Sequence, residues 1–428
     1  MRVLWTVNTL PPDIALTLGI GSTHAISWVD AMSKQLKYSD EIQLAIVSTG
    51  ARNIRELVCK KIEHITYYVL PVDSYKKDYW GWILEDFKPD VIHAYGTENK
   101  QNIKLISNYK DHYPIIISLQ GIIKQYLKYY YAGMSMGDVL ANITIGDILL
   151  RRSTIDGKRN FKKQSVYERN MIGGVSYVEG RSDWDKVYSR SINKDLKYYY
   201  CPRMIRAEFF DHKWELEKSE KHSILVHQGT YPIKGLHMML DALTEIKKDY
   251  PDVVMYIAGN MDFNPKTLKR KLLYGGYTSY IKKRIKQLGL SNNIRFTGYL
   301  DSGKMAEKLA SVRVCVIPSA IENAPNALAE AMIVGTPCVA SYVGGSPDML
   351  NNGECGLMYR FEEYEMLANR VISYFDDDDL SCEKSENAIR VARERHDPNV
   401  LVTRIVDIYS AVIDDFNSKK RIVKDDKK

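Results

Sequence analysis

No apolar run long enough to cross a membrane as a helix occurs in the 428 residues. Cysteine is scarce: six residues, at 59, 201, 315, 338, 355 and 382, none in a Cys-x-x-Cys pair. This argues against a zinc site and a disulfide framework and points to a reducing cytoplasm. Cys315 and Cys338 fall inside strand-like runs, where cysteine acts as a small hydrophobe. The opening Met1-Arg-Val-Leu-Trp-Thr-Val-Asn8 lacks the long apolar core and small-residue cleavage site of a signal peptide, and reads as a first strand. There is no short-period repeat, which argues against a solenoid. Nor is there a strong excess of one charge. Sixty Lys and Arg against 53 Asp and Glu leave +7 and a pI near 8.8. Nucleic acid, anionic lipid or a phosphorylated substrate would each suit that balance, and charge alone does not choose.

What is present is an ordinary globular composition, 45% hydrophobic and 26% charged, in a chain too long for one core. Two domains of roughly 200 residues are expected. Strand-like and helix-like segments alternate, the pattern of parallel α/β sheets. Strand candidates in the first half are Val3–Thr6, Gln43–Val47, Tyr67–Leu70, Val91–Ala94 and Ile115–Leu119. The pattern restarts with Ile224–His227, a helix over Leu236–Ile246, strand Val253–Ile257, a basic helix Tyr280–Leu288 and strand Ile294–Thr297. Pro202 and the charged stretch Lys213–Lys221 interrupt it. The expected architecture is α/β: two doubly wound, Rossmann-like domains, 1–205 and 206–398. An amphipathic last helix is expected over 399–416, followed by a charged tail at 417–428.

The most informative stretch runs from Pro318 to Pro337. The β-branched run Val312–Ile317 precedes it and Pro337–Ala340 follows, both suited to buried strands. Between them a short helix is expected, with Asn323 as N-cap, Pro325 in the first turn and Gly335 at the end. Glu322 then falls in the loop at the carboxyl end of a strand, and Glu330 one to two turns into the helix. Both would face the mouth where open α/β sheets bind ligands. The free N–H groups around Asn326 and Ala327 suit an anion. An arbitrary pair of glutamates would be solvated. This one sits among Pro-Ser, Glu-Ala-Met, Gly-Thr-Pro and the later Gly344-Gly345. In that setting it resembles the E-x7-E signature of retaining family-four glycosyltransferases, which have the GT-B fold. The resemblance implies that Glu322 contacts the donor sugar's hydroxyls and that Glu330 holds the nucleotide ribose. It further implies a cleft between the two domains and a last helix that crosses back to the first.

A second element is His227-Gln-Gly229-Thr-Tyr-Pro-Ile-Lys234-Gly235: strand end, glycine loop and helix start, where a diphosphate can meet N–H groups and a lysine. On its own such a lysine is usually solvated. The resembling family has an arginine and a lysine here, both neutralising the donor diphosphate. Lys234 maps onto the lysine, but Thr230 stands in the arginine's place, removing a bidentate contact. By the same resemblance Gly259 and Asn260, and Gly298, Tyr299 and Leu300, line the nucleotide; by themselves they are strand-ending turns.

In the first domain Gly19 and Gly21 allow close backbone approach, and His24 replaces the third glycine of a dinucleotide motif. The resemblance places this loop at the cleft. Gln120 stands where the family often has histidine; it hydrogen-bonds but carries no proton. Glu98, and Arg181 in Glu179-Gly-Arg-Ser-Asp-Trp-Asp185, are acceptor-side candidates, with structural ion pairs the alternative. Between Ile122 and Arg169 tyrosines interleave with lysines and arginines, which suits a solvated face or an anionic membrane surface. No nucleic-acid motif accompanies them.

The resemblance thus implies transfer of a sugar from a UDP- or GDP-linked donor to a glycan or polyprenyl-linked saccharide. The setting would be cell-surface polysaccharide synthesis, in the cytoplasm or at the inner face of the membrane. No cofactor beyond the donor and no obligatory metal is implied. A non-hydrolysing nucleotide-sugar epimerase and a non-catalytic binding subunit remain as alternatives.

Overall fold

The computed structural model describes residues 1–425 apart from 21–26, 40, 50–53, 73, 75–76, 228, 260, 262–266 and 268–273. Gly21, His24 and Asn260 therefore lie outside the described residues. The chain divides into two compact units, one made of 1–123, 164–206 and 396–428, the other of 124–163 and 207–395. Each is a parallel α/β sheet with helices packed on it. Among the described residues no helix is long and apolar enough to cross a membrane.

The first unit holds eight strands: β1 (Arg2–Val7), β2 (Gln43–Thr49), β3 (Val58–Ile62), β4 (Ile65–Leu70), β5 (Val91–Tyr95), β6 (Ile115–Ser118), β7 (Tyr177–Gly180) and β8 (Lys197–Tyr200). Their order is β3-β4-β2-β1-β5-β6-β7-β8, parallel except for the β3–β4 hairpin. Inner strands such as β1 and β5 are apolar almost throughout because both faces are buried. The edge strand β3 exposes Cys59, Lys60 and Lys61. It lacks the apolar run that betrays a strand, and its lysines guard a free edge.

The last helix, Pro398–Asp425, buries Leu401, Ile405, Ile408, Tyr409 and Val412 in this unit's core beside Val3 and Trp5. The Tyr409 hydroxyl accepts from Trp5 Nε1 and lies 2.8 Å from His93 Nδ1. The sequence places a charged tail from 417; the structure instead carries the helix on to Asp425. Asp415 explains part of this, receiving Lys419 one turn on at 2.9 Å, with Lys197 at 2.6 Å and the Tyr177 hydroxyl at 2.7 Å. Burial opposes its charge, but these hydrogen bonds hold its carboxyl well below the usual range.

The second unit has six strands: β9 (Glu220–Val226), β10 (Val254–Ala258), β11 (Ile294–Gly298), β12 (Val312–Ile317), β13 (Cys338–Ser341) and β14 (Leu357–Tyr359). Their order is β11-β10-β9-β12-β13-β14, all parallel. The chain lays down β9, β10 and β11 in one direction, then returns to place β12 on the other side of β9. Connections leave β9 and β12 in opposite directions, which opens a crevice at their carboxyl ends.

Segment 124–163, which the sequence assigns to the first domain by chain order, groups with this second unit. Met134 and Val139 enter its core beside Leu240, Tyr277 and Tyr280. A buried histidine ties it down. His237 Nε2 donates to the Ala132 carbonyl at 2.6 Å, leaving Nδ1 to accept from the Tyr277 hydroxyl at 3.0 Å. Burial pushes the His237 pKa down from 6.5 to about 4, against the pull of the Ala132 carbonyl. Between those values the unfolded chain takes up a proton that the folded chain refuses. Stability is therefore full above pH 6.5 and falls as pH drops towards 4, by about 3 kcal/mol in all. His237→Gln should flatten that part of the urea-unfolding profile measured from pH 7 to 4. An unchanged slope would show that another group titrates.

Candidate functional site

In the second unit, the loops that leave β9 and β12 carry the two sequence elements singled out above. After β9 come His227, Gly229, Thr230 and a single turn Pro232–Lys234; then Gly235 opens helix Leu236–Asp249. After β12 come Pro318 to Pro325 and helix Asn326–Val334, ended by Gly335. The helix starts two residues later than an Asn323 cap would set it. Pro325 is the N-cap, in extended conformation with no side-chain capping bond, because proline cannot lend a side-chain acceptor. Asn323 lies in the loop, its N–H donating to the Tyr126 hydroxyl at 3.1 Å. As the first two helical residues, Asn326 and Ala327 have N–H groups with no acceptor within the helix.

The loops are stitched to each other. Ala320 N–H donates to the Ile233 carbonyl at 2.7 Å. Gly235 packs so closely that a Cβ there would lie 1.6 Å from the Pro318 carbonyl oxygen, and its φ of +69° is left-handed. Gly229 leaves room for Leu236, whose side chain would be 2.5 Å from a Cβ.

This stitching brings Lys234 and Glu322 together: Nζ donates to Oε1 at 2.5 Å. Ser319 donates to the same oxygen at 2.8 Å, and the Gly345 N–H donates to the Glu322 carbonyl at 3.2 Å. Glu322 is 6% exposed and Glu330 3%, so neither is the surface carboxylate that an isolated glutamate pair suggests. Burial works against the Lys234 charge, but the Glu322 carboxylate outweighs it and holds the ammonium protonated far above its ordinary range. The Tyr231 ring lies 5.8 Å beneath the ammonium. Glu330 Oε2 accepts from His227 Nε2 at 2.9 Å. Two buried carboxylates are thus each held by a nitrogen donor from the β9 loop. A polyhydroxylated anion could exchange for those partners, its phosphate taking the ammonium and its hydroxyls the carboxylates.

At the neighbouring strand ends the Gly259 N–H donates to the Gly298 carbonyl at 2.9 Å. Tyr299 is half-exposed and Leu300 partly buried. Thr230 is partly buried on the β9 loop. Ser319, His227 and Tyr126 belong to the site without a role assigned from sequence. His227 and Ser319 had a signal, each sitting one or two residues beyond a strand end. Tyr126, about 200 residues from Glu322, had none.

In the first unit, β1 and β5 are neighbours whose connections diverge, and there Asn8 donates to Glu98 at 2.6 Å. Arg181 follows β7 and donates to the Gln120 carbonyl beyond β6, with its N–H on Asp185 at 2.8 Å. The Gln120 amide nitrogen is buried with no partner among the described residues. Gly19 ends the turn after helix Pro12–Thr17, donating to the Leu16 carbonyl at 3.0 Å. Beneath lies a buried network that sequence reasoning left unread. Arg203 forks onto both Glu179 oxygens at 3.2 Å and reaches Ser118, while His93 lies 3.6 Å from Glu179. Glu98, Gln120 and Arg181 thus all sit at carboxyl ends of one parallel sheet, the usual ligand edge.

The fold is that of GT-B glycosyltransferases. Residues 208–395, which carry Lys234, Glu322 and Glu330, match the model of the family described as glycosyl transferases group 1. Among curated relatives, N-acetyl-alpha-D-glucosaminyl L-malate synthase of Bacillus anthracis is 24% identical over 53% of this chain, and the match spans 57% of that relative. Among solved structures, sucrose-phosphate synthase from Thermosynechococcus elongatus superposes with a TM-score of 0.70 at 13% identity, over 96% of this chain and 99% of that one. HepE from Anabaena, solved with UDP-glucose, gives 0.66 at 16% identity over 96% and 100%. At these identities the structures speak for the fold alone.

Proposed function

We propose that the chain is a retaining glycosyltransferase. It takes a sugar from a UDP- or GDP-linked donor and passes it to a hydroxyl of a glycan or polyprenyl-linked saccharide, in cell-surface polysaccharide assembly. The observation that carries this reading is the Lys234–Glu322 pair, 2.5 Å apart at the switch point of the second unit. HepE, a structural neighbour, binds UDP-glucose, which supports a nucleotide sugar as the ligand.

Departure of the nucleoside diphosphate concentrates negative charge on its phosphates while the sugar gains positive character. Lys234 and the N–H groups of Asn326 and Ala327 stabilise that charge where it develops. Donor phosphate displaces Glu322 from Lys234, freeing the carboxylate to accept from sugar hydroxyls and to orient the ring. Glu330, already aligned by His227, accepts from the ribose. Thr230 adds no cation, so Lys234 carries the larger share of the phosphate charge. Acceptor attack on the face the diphosphate leaves, with the hydroxyl proton passing to the departing phosphate oxygen, gives retention without an enzyme nucleophile. No metal is needed in this scheme.

The purified protein, supplied with UDP-, GDP- and ADP-sugars and lipid-linked or soluble saccharide acceptors, should release nucleotide from one donor class. Glu322→Ala should lose about 10²-fold or more in that rate. Conversion of a donor without acceptor would indicate an epimerase, and binding without turnover a binding subunit; either overturns the reading.

A further inference from the structure

Large aliphatic side chains on the surface are otherwise scattered among the described residues, but six crowd into one stretch of fifteen. Met136, Leu140, Ile145, Ile148, Leu149 and Leu150 are 49–70% exposed. They lie on two short helices, Met136–Ala141 and Ile145–Leu150, separated by three residues. These side chains are not what holds the segment in place. The buried Val139 and polar bonds do that: Thr144 donates to the Tyr274 carbonyl at 2.6 Å, and Asp147 accepts from the Gly276 N–H at 2.8 Å. Asn142 accepts from Lys283 at 2.9 Å. Asp147 also completes a capping box with Thr144. The result is a firmly anchored base that presents apolar side chains outward.

Charge selects what covers them. Segment 124–163 carries eight lysines and arginines against three aspartates. One aspartate, Asp147, is buried in the anchor, and Arg151 and Arg152 follow Leu150 directly, both exposed. Arg159, Lys162 and Lys163 are exposed on the next helix. Ile148, Leu149 and Leu150 are consecutive, so on a helix they fan out about 100° apart. A rigid partner helix meets a stripe at every third or fourth position; a fluid apolar phase accepts a fan.

We propose that this segment docks on an anionic lipid bilayer, its aliphatic side chains entering the headgroup–acyl boundary and its cations pairing with lipid phosphates. This holds whether or not a sugar is transferred, since it uses no residue of the donor site. The full chain should co-sediment with phosphatidylcholine vesicles containing phosphatidylglycerol, weakly with phosphatidylcholine alone, and less as salt rises. A variant carrying Ile148→Ser and Leu149→Ser should bind anionic vesicles at least tenfold more weakly, with an unchanged melting temperature. Arg151→Gln with Lys163→Gln should lose about tenfold on anionic vesicles only. Equal binding to both vesicle types, no binding at all, or wild-type binding by the serine variant would overturn the proposal. So would a wild-type dimer that the serine variant turns into a monomer, since the face would then belong to a second copy.

Discussion

Replacing Lys234 with alanine should lower sugar transfer at saturating donor by about 10²–10³-fold, the cost of losing one preorganised charge at the leaving group. The geometry makes a mild outcome hard to reach. The ammonium is a direct partner of Glu322, and its loss leaves that carboxylate 6% exposed with Ser319 as its remaining side-chain donor among the described residues. Breaking such a pair by deleting one member is costly because the other charge stays buried. The variant should therefore bind donor poorly and also melt earlier than wild type. Lys234→Arg restores charge and should recover part of the rate, though a guanidinium fits a lysine's place imperfectly. Because the folded pKa of Lys234 is raised, its charge persists below and through the ordinary lysine range. An alkaline fall in rate between pH 7 and 9 is therefore not expected from this residue. If Lys234→Ala turns over like wild type, the β9 loop does not hold the diphosphate.

Gly235→Ala should destabilise the second unit more than the same change at Gly229, where the crowding atoms belong to the Leu236 side chain and can shift. At position 235 the new Cβ would sit 1.6 Å from the Pro318 carbonyl oxygen, a backbone atom that cannot swing aside, and the residue would have to keep a φ of +69°. Steric overlap and left-handed strain together come to about 4 kcal/mol. In a unit of this size that is roughly a 10 °C fall in melting temperature. The methyl also wedges apart the loops that hold Lys234 against Glu322, so donor affinity should fall with stability. A variant melting within a degree or two of wild type would mean that the loops are not packed as described.

The elements around the site were readable because each was written in local chemistry. The apolar run Val312–Ile317, the later Gly335 and the intervening loop fix strand, helix and stop within a few residues, and the structure agrees on β12 to the residue. The N-cap misassignment is equally physical. Asn323 is a good capping residue by type, but Pro325 sets the chain extended just before the first turn. Strands β7, β8 and β14 escaped because runs such as Lys197-Tyr-Tyr-Tyr200 and Leu357-Met-Tyr359 are too short or too mixed to show a period. The grouping of 124–163 with the second unit depends on tertiary partners such as His237 and Tyr277, which local pattern does not carry. The run Ile145–Leu150 is apolar enough to read as core. Only the structure shows that polar bonds anchor it and leave its aliphatic side chains outside.

The central claim is that one nucleotide-sugar site is built on the second unit by Lys234, Glu322 and Glu330. Titration calorimetry of UDP and GDP onto the wild-type chain and onto Lys234→Ala and Glu330→Ala tests it without any acceptor. One nucleotide should bind with unit stoichiometry. Its affinity should fall about tenfold or more when either the phosphate-side lysine or the ribose-side carboxylate is removed. Wild-type affinity in both variants, or no binding of either nucleotide to the intact chain, would contradict it.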